Sequence, residues 1–283
     1  MRQVVLLSLA DGCAGAPVLA CRDALVAEGA EVAIATPGSD TELDELIAAL
    51  DGPARPDGLT WPVVGGATIV VAASAVGQVR AVVRRMVRRY SPPPSRRPAD
   101  LAAGRTVPDL PPIGVLPLYG EQLFDLPGDP AEVAKGILHG APARLDLLRT
   151  DAGSVTLSGA VIGGTAPWSG RIEVDDAVLA EPGEPVTACA IGNAAGYATG
   201  DGLPLLPAAD PADGVLDVAV AVPVRIRRFG RTRVQVEVRR VRGRAVSVQP
   251  ADEVPFVDDG VSGTLDRKRS WWVERGAWAV LRP

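Results

Sequence analysis

The chain opens on an alternation of apolar runs and amphipathic stretches. Val4–Leu9, Glu31–Thr36, Ala67–Ala73 and Ile113–Leu118 are short, largely apolar segments that read as buried strands. Pro17–Glu28 places Val18, Cys21 and Leu25 on one helical face, with Pro17 in its first turn and Gly29 at its C-cap. Thr41–Leu50 reads as an acidic helix. Val76–Arg89 reads as a helix stopped by Ser91-Pro92-Pro93-Pro94, and Pro130–Leu138 as a short helix opened by Asp129. Strands without polar alternation, separated by helices, predict a parallel sheet covered on both faces. Residues 1–140 are therefore expected to form an α/β domain, an architecture that often binds nucleotides at its strand C-termini.

After Gly140 the pattern changes. Ser154–Val161, Arg171–Val174, Val186–Ile191, Val215–Val222, Val234–Val241, Ala245–Gln249 and Trp271–Leu281 follow one another as strands, with Gly, Pro and Asp between them. Arg233-Val234-Gln235-Val236-Glu237-Val238 alternates, as a strand with one wet face does. Residues 141–283 are expected to form an antiparallel sandwich or flattened barrel, with the last strand returning to the first domain. No internal repeat is evident. The Pro- and Arg-rich stretch Ser91–Asp109 reads as an exposed, mobile loop.

Composition narrows the function classes. At 283 residues, 47% hydrophobic and 22% charged, the chain has a globular composition and the length of two domains. Cys13, Cys21 and Cys189 cannot all pair within the chain, which favours a reducing, cytoplasmic setting. The single histidine, His139, excludes a His-rich metal centre and reads as a helix-end residue. A net charge of −5 argues against a dedicated nucleic-acid binder. No stretch reaches the roughly 18–20 apolar residues of a membrane span. Met1–Leu9 resembles a signal peptide, but Asp11 and Gly12 follow at once, and a buried first strand is the better reading.

Three segments carry a resemblance. They are Gly114-Val115-Leu116-Pro117-Leu118; Ile191-Gly192-Asn193 with the Gly-rich turn through Gly200; and Pro207-Ala208-Ala209 leading to Asp213-Gly214-Val215-Leu216-Asp217-Val218. Val257-Asp258-Asp259-Gly260 follows at the expected place. In order and spacing these resemble the bacterial diacylglycerol and related lipid kinases. The resemblance implies an NAD-kinase-like α/β domain joined to a β-sandwich. It also implies an active site in the cleft, where MgATP gives its γ-phosphoryl group to a lipid hydroxyl.

The departures from that family cluster where ATP should sit. A Gly-Gly-Asp-Gly-Thr motif is replaced by Ser74-Ala75-Val76-Gly77-Gln78, with Val76 at the acidic position. The first loop reads Leu9-Ala10-Asp11-Gly12 instead of Asn-Pro-x-Ser-Gly. The loop after Leu118 reads Tyr119-Gly120-Glu121-Gln122-Leu123, and Val261 replaces the Glu of Asp-Gly-Glu. The expectation is a divergent member with an eroded ATP site, either a catalytically silent binding protein or a repurposed enzyme. The alternative is an active ATP-dependent lipid kinase with substitute carboxylates.

Asp11 and Asp259 are the candidate catalytic carboxylates. Gly12, Gly15, Gly77, Gln78 and Gly120 are the candidate cofactor-binding residues. Asp11–Gly15 could cradle phosphate at a helix N-terminus or be a tight βα turn. Asp258 and Asp259 could be acid/base groups or solvated turn carboxylates. By resemblance, Asp213 with carbonyls of Asp210 and Val215 would hold a structural Mg²⁺; a plain Asp-Gly turn is the other reading. All but two of the 29 basic residues are arginine. They cluster at Arg80, Arg84, Arg85, Arg88 and Arg89, continuing to Arg96, Arg97 and Arg105, and again at Arg225, Arg227, Arg228, Arg231 and Arg233. Each cluster reads as a contact for an anionic membrane surface or as a solvated face. The expected partners are a lipid or small-molecule ligand in the interdomain cleft and, peripherally, a membrane, with no nucleic acid; a homodimer is compatible with the sequence.

Overall fold

The structure is a computed structural model that describes residues 2–9, 15–63, 65–99, 101, 104–121, 123–194, 197–200, 203–228 and 231–283. It divides into two compact units, one comprising Met1–Leu145 with Gly276–Pro283 and the other Asp146–Arg275.

In the first unit the elements run β1 (Gln3–Ser8), α1 (Ala16–Ala27), β2 (Glu31–Ala35), α2 (Asp40–Ala48), β3 (Thr68–Ala73), α3 (Val76–Tyr90), β4 (Gly114–Pro117) and α4 (Pro130–His139). The four strands form a parallel sheet in the order β2-β1-β3-β4. The continuous apolar runs are explained by burial on both faces: every residue of β3 and β4 is buried. Val4, Leu6, Val70 and Leu116 form one core with Val18, Cys21 and Leu25 of α1 and Ile137 of α4. Leu281 from the chain's end joins that core. Helix starts follow local chemistry. Ser39 accepts from the Glu42 N–H at 3.2 Å while the Glu42 carboxylate takes the Gly38 N–H at 2.8 Å, a reciprocal cap on α2. Asp129 accepts from the Ala131 and Glu132 N–H groups and opens α4.

From Ala141 on the chain is antiparallel, its first strand beginning and its last strand ending in the first unit. Its strands, in chain order, are β5 (Ala141–Thr150), β6 (Val155–Thr156), β7 (Gly159–Ile162), β8 (Gly170–Val174), β9 (Ala177–Ala180), β10 (Ala188–Gly192), β11 (Tyr197–Gly200), β12 (Leu203–Leu206), β13 (Leu216–Arg228), β14 (Arg231–Gly243), β15 (Ala245–Pro250), β16 (Val254–Asp258), β17 (Val261–Leu265) and β18 (Arg269–Arg282). Two six-stranded sheets have the orders β14-β13-β10-β7-β16-β17 and β6-β5-β18-β15-β8-β9, and β11 and β12 pair on their own. Ile162, Ile191 and Val218 from one sheet meet Ile172, Val246 and Trp271 from the other in a single core. This is a β-sandwich, and the expected order of an α/β domain followed by an antiparallel sandwich holds.

Three local expectations change. The single strand expected over Ser154–Val161 is two, β6 and β7, because the backbone N–H groups of Leu157, Ser158 and Gly159 turn onto the Asp259 carboxylate instead of a ladder. The stretch Ser91–Asp109 is not exposed throughout. Pro94–Arg96 forms a 3-10 turn, Arg96 donates to the Asp57 carbonyl, and Val107 is fully buried. The arginines of α3 are not an open cationic face. Arg85 is buried against Asp40 and Asp44, Arg84 also reaches Asp40, and Arg89 is paired with Asp51.

Candidate functional site

In the first unit, chain order reverses between β1 and β3: β2 lies on one side of β1, β3 and β4 on the other. In open α/β sheets that reversal, at the strand C-termini, is where ligands bind. Register fixes which residues gather there. Ser8 is opposite Ala72 and Ala73 opposite Pro117, so the segments following β1, β3 and β4 leave from one edge. Gly15 is the N-cap of α1, Gly77 and Gln78 are the second and third residues of α3, and Gly120 lies in the turn after β4. Four candidate cofactor-binding residues thus share one edge of one sheet. Asp11, Gly12 and Cys13 lie outside the described residues.

The chemistry of that edge is specific. Neither Gly15 nor Ala75, the N-caps of α1 and α3, offers a side-chain acceptor, and neither helix has an acidic residue in its first turn. Pro17 has no N–H, Val18 and Leu19 donate to the Gly15 carbonyl and Gln78 to that of Ala75, so the donors that favour an anion here are the N–H groups of Ala16, Val76 and Gly77. The Gln78 Oε1 accepts from the Ser74 N–H at 2.7 Å, so one amide of the β3–α3 turn is already satisfied from within. Tyr119 and Gly120 both adopt left-handed backbone, with φ of 58° and 76°, and Tyr119 is 82% exposed. Phe124 stacks edge-on against Trp278 at 5.1 Å, and its carbonyl accepts from Arg282 at 3.1 Å, which ties the segment after β4 to the chain's end. What this edge provides is donors for an anion; the first turns of its two helices provide no carboxylate.

The remaining candidates belong to the second unit and are structural in their contacts. Asp259, at φ 49° in the β16–β17 turn, is 3% exposed. Its oxygens accept from the N–H groups of Leu157, Ser158 and Gly159 at 2.7, 2.8 and 3.1 Å. Asp258, also buried, accepts from the Thr156 hydroxyl at 2.7 Å. Neither is a solvated turn carboxylate. Asn193, 1% exposed, donates to the carbonyls of Asp146 and Leu157, and Asp146 accepts the Gly214 N–H at 2.6 Å. The Gly-Asn, Asp-Gly and Asp-Asp-Gly segments read from the sequence are thus parts of one buried polar network around residues 156–159. Asp146 and Thr156 were not legible as its members, since neither lies in a recognisable motif. Gly214 has φ +79°, and a Cβ there would fall 2.1 Å from Arg275 Nε, so this turn requires glycine.

A Mg²⁺ ion held by Asp213 with the carbonyls of Asp210 and Val215 would meet a carboxylate that is already engaged. The Asp213 Oδ1 accepts the Val215 N–H at 3.1 Å, and its Oδ2 is paired with the Arg242 guanidinium. Arg242 also reaches Asp217 at 3.3 Å. Burial holds the Asp217 carboxyl above the usual carboxylate range, with Arg242 opposing it only in part. Asp210 caps its own turn at the Ala212 N–H. A positive charge already occupies the outward oxygen of Asp213. No group of three or more metal-ligating side chains occurs among the described residues.

Residues 160–266 match the family described as the YegS C-terminal NAD kinase beta sandwich-like domain. Among solved structures, the chain is similar to a diacylglycerol kinase from Bacillus anthracis, with 14% identity, a TM-score of 0.65, and coverage of 100% of this chain and 97% of that one. It is also similar to an NAD kinase from Archaeoglobus fulgidus in complex with ATP, with 14% identity, a TM-score of 0.57, and coverage of 100% and 94%. No curated protein matches the sequence.

Proposed function

We propose that this chain, whose residues 160–266 match the YegS C-terminal NAD kinase beta sandwich-like domain and whose fold is shared with diacylglycerol and NAD kinases, is a binding protein derived from the lipid-kinase scaffold. It takes a lipid or small molecule bearing an anionic group and does not transfer phosphate from MgATP. The observation that carries this reading is the first turn of α3. Ala75-Val76-Gly77-Gln78 keeps helix-start amides that suit an anion, lacks any carboxylate, and folds Gln78 back onto Ser74. Phosphoryl transfer needs the phosphates positioned, their charge neutralised and the acceptor hydroxyl deprotonated. The first task suits backbone amides; deprotonating the acceptor hydroxyl and holding Mg²⁺ call for a carboxylate, which the start of α3 does not supply. The fully engaged oxygens of Asp259 support the same reading.

Calorimetric titration with ATP and ADP, each with and without Mg²⁺, tests it. Nucleotide binding is expected to be weak and indifferent to Mg²⁺, while a short-chain phosphatidate binds. Val76→Asp, which puts a negative charge at the same helix start, should weaken phosphatidate binding by about fivefold. Micromolar, Mg²⁺-dependent ATP binding, or transfer of label from ATP to diacylglycerol, would overturn the reading in favour of an active kinase.

A further inference from the structure

The β13–β14 hairpin is longer than the sheet that holds it. β13 pairs with β10 only from Asp217 to Ala221, whereas its ladder with β14 runs on to Arg228↔Arg231. Residues Val222–Arg228 and their β14 partners therefore form a two-stranded ribbon, about 20 Å long at roughly 3.3 Å per residue. Charge is distributed unevenly along it. At the base, the arginines are partnered: Arg242 with Asp213 and Asp217, Arg239 with Glu184 and Glu237, and Arg240 with the Leu205 carbonyl. Towards the tip the sequence holds Arg225, Arg227, Arg228, Arg231 and Arg233, with no acidic residue between Asp217 and Glu237. Arg225, Arg227 and Arg233 are exposed and have no ion pair among the described residues.

Aliphatic side chains sit among these charges. Ile226 is opposite Arg233 and Val234 opposite Arg225, so each face of the ribbon shows one aliphatic beside one arginine. Ile226 is 41% exposed and Val234 65%. In a solvated hairpin both favour the strand conformation but leave much of their apolar surface in water. At the boundary between lipid headgroups and acyl chains, guanidinium groups reach phosphates while short apolar side chains enter the hydrocarbon edge.

We propose that the tip of the β13–β14 ribbon docks this protein on an anionic lipid bilayer. Lipid is favoured over nucleic acid because the chain as a whole carries a net charge of −5, against a dedicated nucleic-acid binder, and because a bilayer offers Ile226 and Val234 an apolar phase to enter. The inference stands apart from the ligand site of the first unit and needs neither nucleotide nor that site.

Co-sedimentation with vesicles tests it. The intact protein should bind vesicles of phosphatidylcholine mixed with phosphatidylglycerol and not phosphatidylcholine alone, with binding that weakens as salt rises. Each basic residue near an anionic surface is worth about fivefold in affinity, so neutralising three, R225Q/R227Q/R233Q, should cost on the order of a hundredfold. I226S/V234S should lower vesicle binding several-fold while leaving its salt dependence in place. R88E, on α3, should leave binding within about twofold of the wild type, marking the ribbon and not arginine content as the cause. The altered side chains are exposed, and an unchanged circular dichroism spectrum and melting temperature would show the fold intact. Equal binding to neutral vesicles, loss of binding with R88E but not with the ribbon variants, or selective retention of nucleic acid at the same salt would each overturn the proposal. So would a concentration-dependent dimer whose formation is abolished by the ribbon variants and which binds no vesicles. Vesicle binding without phosphatidate binding at the helix starts would sustain this inference while sinking the ligand reading, and the reverse result would do the opposite.

Discussion

Asp259 shows how one residue can mimic a catalytic group in sequence and serve as a fastener in space. A carboxylate beside Asp258 and before Gly260 looks like an acid/base candidate; three backbone N–H groups converge on it instead. Asp259→Ala would leave those buried donors without an acceptor, so the variant should lose about 3 kcal/mol in urea unfolding. Nothing in the linear sequence reveals this role, because the partners are about a hundred positions away. A second residue-scale prediction concerns pH. The hydrogen bond and charge of Arg89, with help from the Tyr90 hydroxyl, hold the Asp51 carboxyl below the usual carboxylate range, against a smaller opposing effect of burial. A depressed pKa stabilises the fold above the unfolded pKa, and that contribution disappears as pH falls through the folded value. Arg89→Ala should therefore be less stable than the wild type at pH 7 and no different under strongly acidic conditions where Asp51 is protonated, as chemical unfolding across that range would show.

At the scale of elements, the parallel half was largely legible. Uninterrupted apolar runs, Pro17 at a helix start and Asp129 before α4 each express a local rule, and the strands and helices lie within a few residues of where those rules put them. The antiparallel half was less so. β5 escaped notice because its buried run, Leu145 to Leu148, follows a polar and Pro-containing start without clean alternation. β13 and β14 run past their apolar segments into arginines, since a ladder needs only backbone groups and not apolar side chains. The interface of α2 and α3 supplies a stability prediction. Arg85→Ala removes a buried guanidinium from Asp40 and Asp44, whose carboxylates are 62% and 38% exposed and can return to water. The cost should stay near about 1–2 kcal/mol, below the 3–5 kcal/mol of a fully buried broken pair. In the 213–217 turn, the Arg242 guanidinium pairs with the carboxylate to which the family resemblance assigned Mg²⁺. Melting temperature should accordingly be the same in EDTA and in millimolar Mg²⁺, as differential scanning calorimetry would check.

For the molecule as a whole, the placement of the last eight residues matters more than their number. Ala277, Trp278, Ala279 and Val280 are buried, Leu281 enters the core with Leu6 and Leu116, and Ala277 and Ala279 accept backbone bonds from Leu110 and Ile113. Deletion of 276–283 should abolish hydrogen-exchange protection in β1 and β3 while leaving β10 and β13 protected, because the sandwich core includes none of the deleted residues. That return of the chain also sets an order of events during synthesis. A ribosome delivers residues 1–145 first but releases the segment that completes them only after all of 146–275. At about 5–20 residues per second, the first-made half waits on the order of ten seconds with an unfinished core. The sandwich, translated second, is free to fold first. Nascent α/β segments must remain collapsed or chaperoned through that interval, which makes the half that looks simplest in sequence the one most exposed to aggregation at birth.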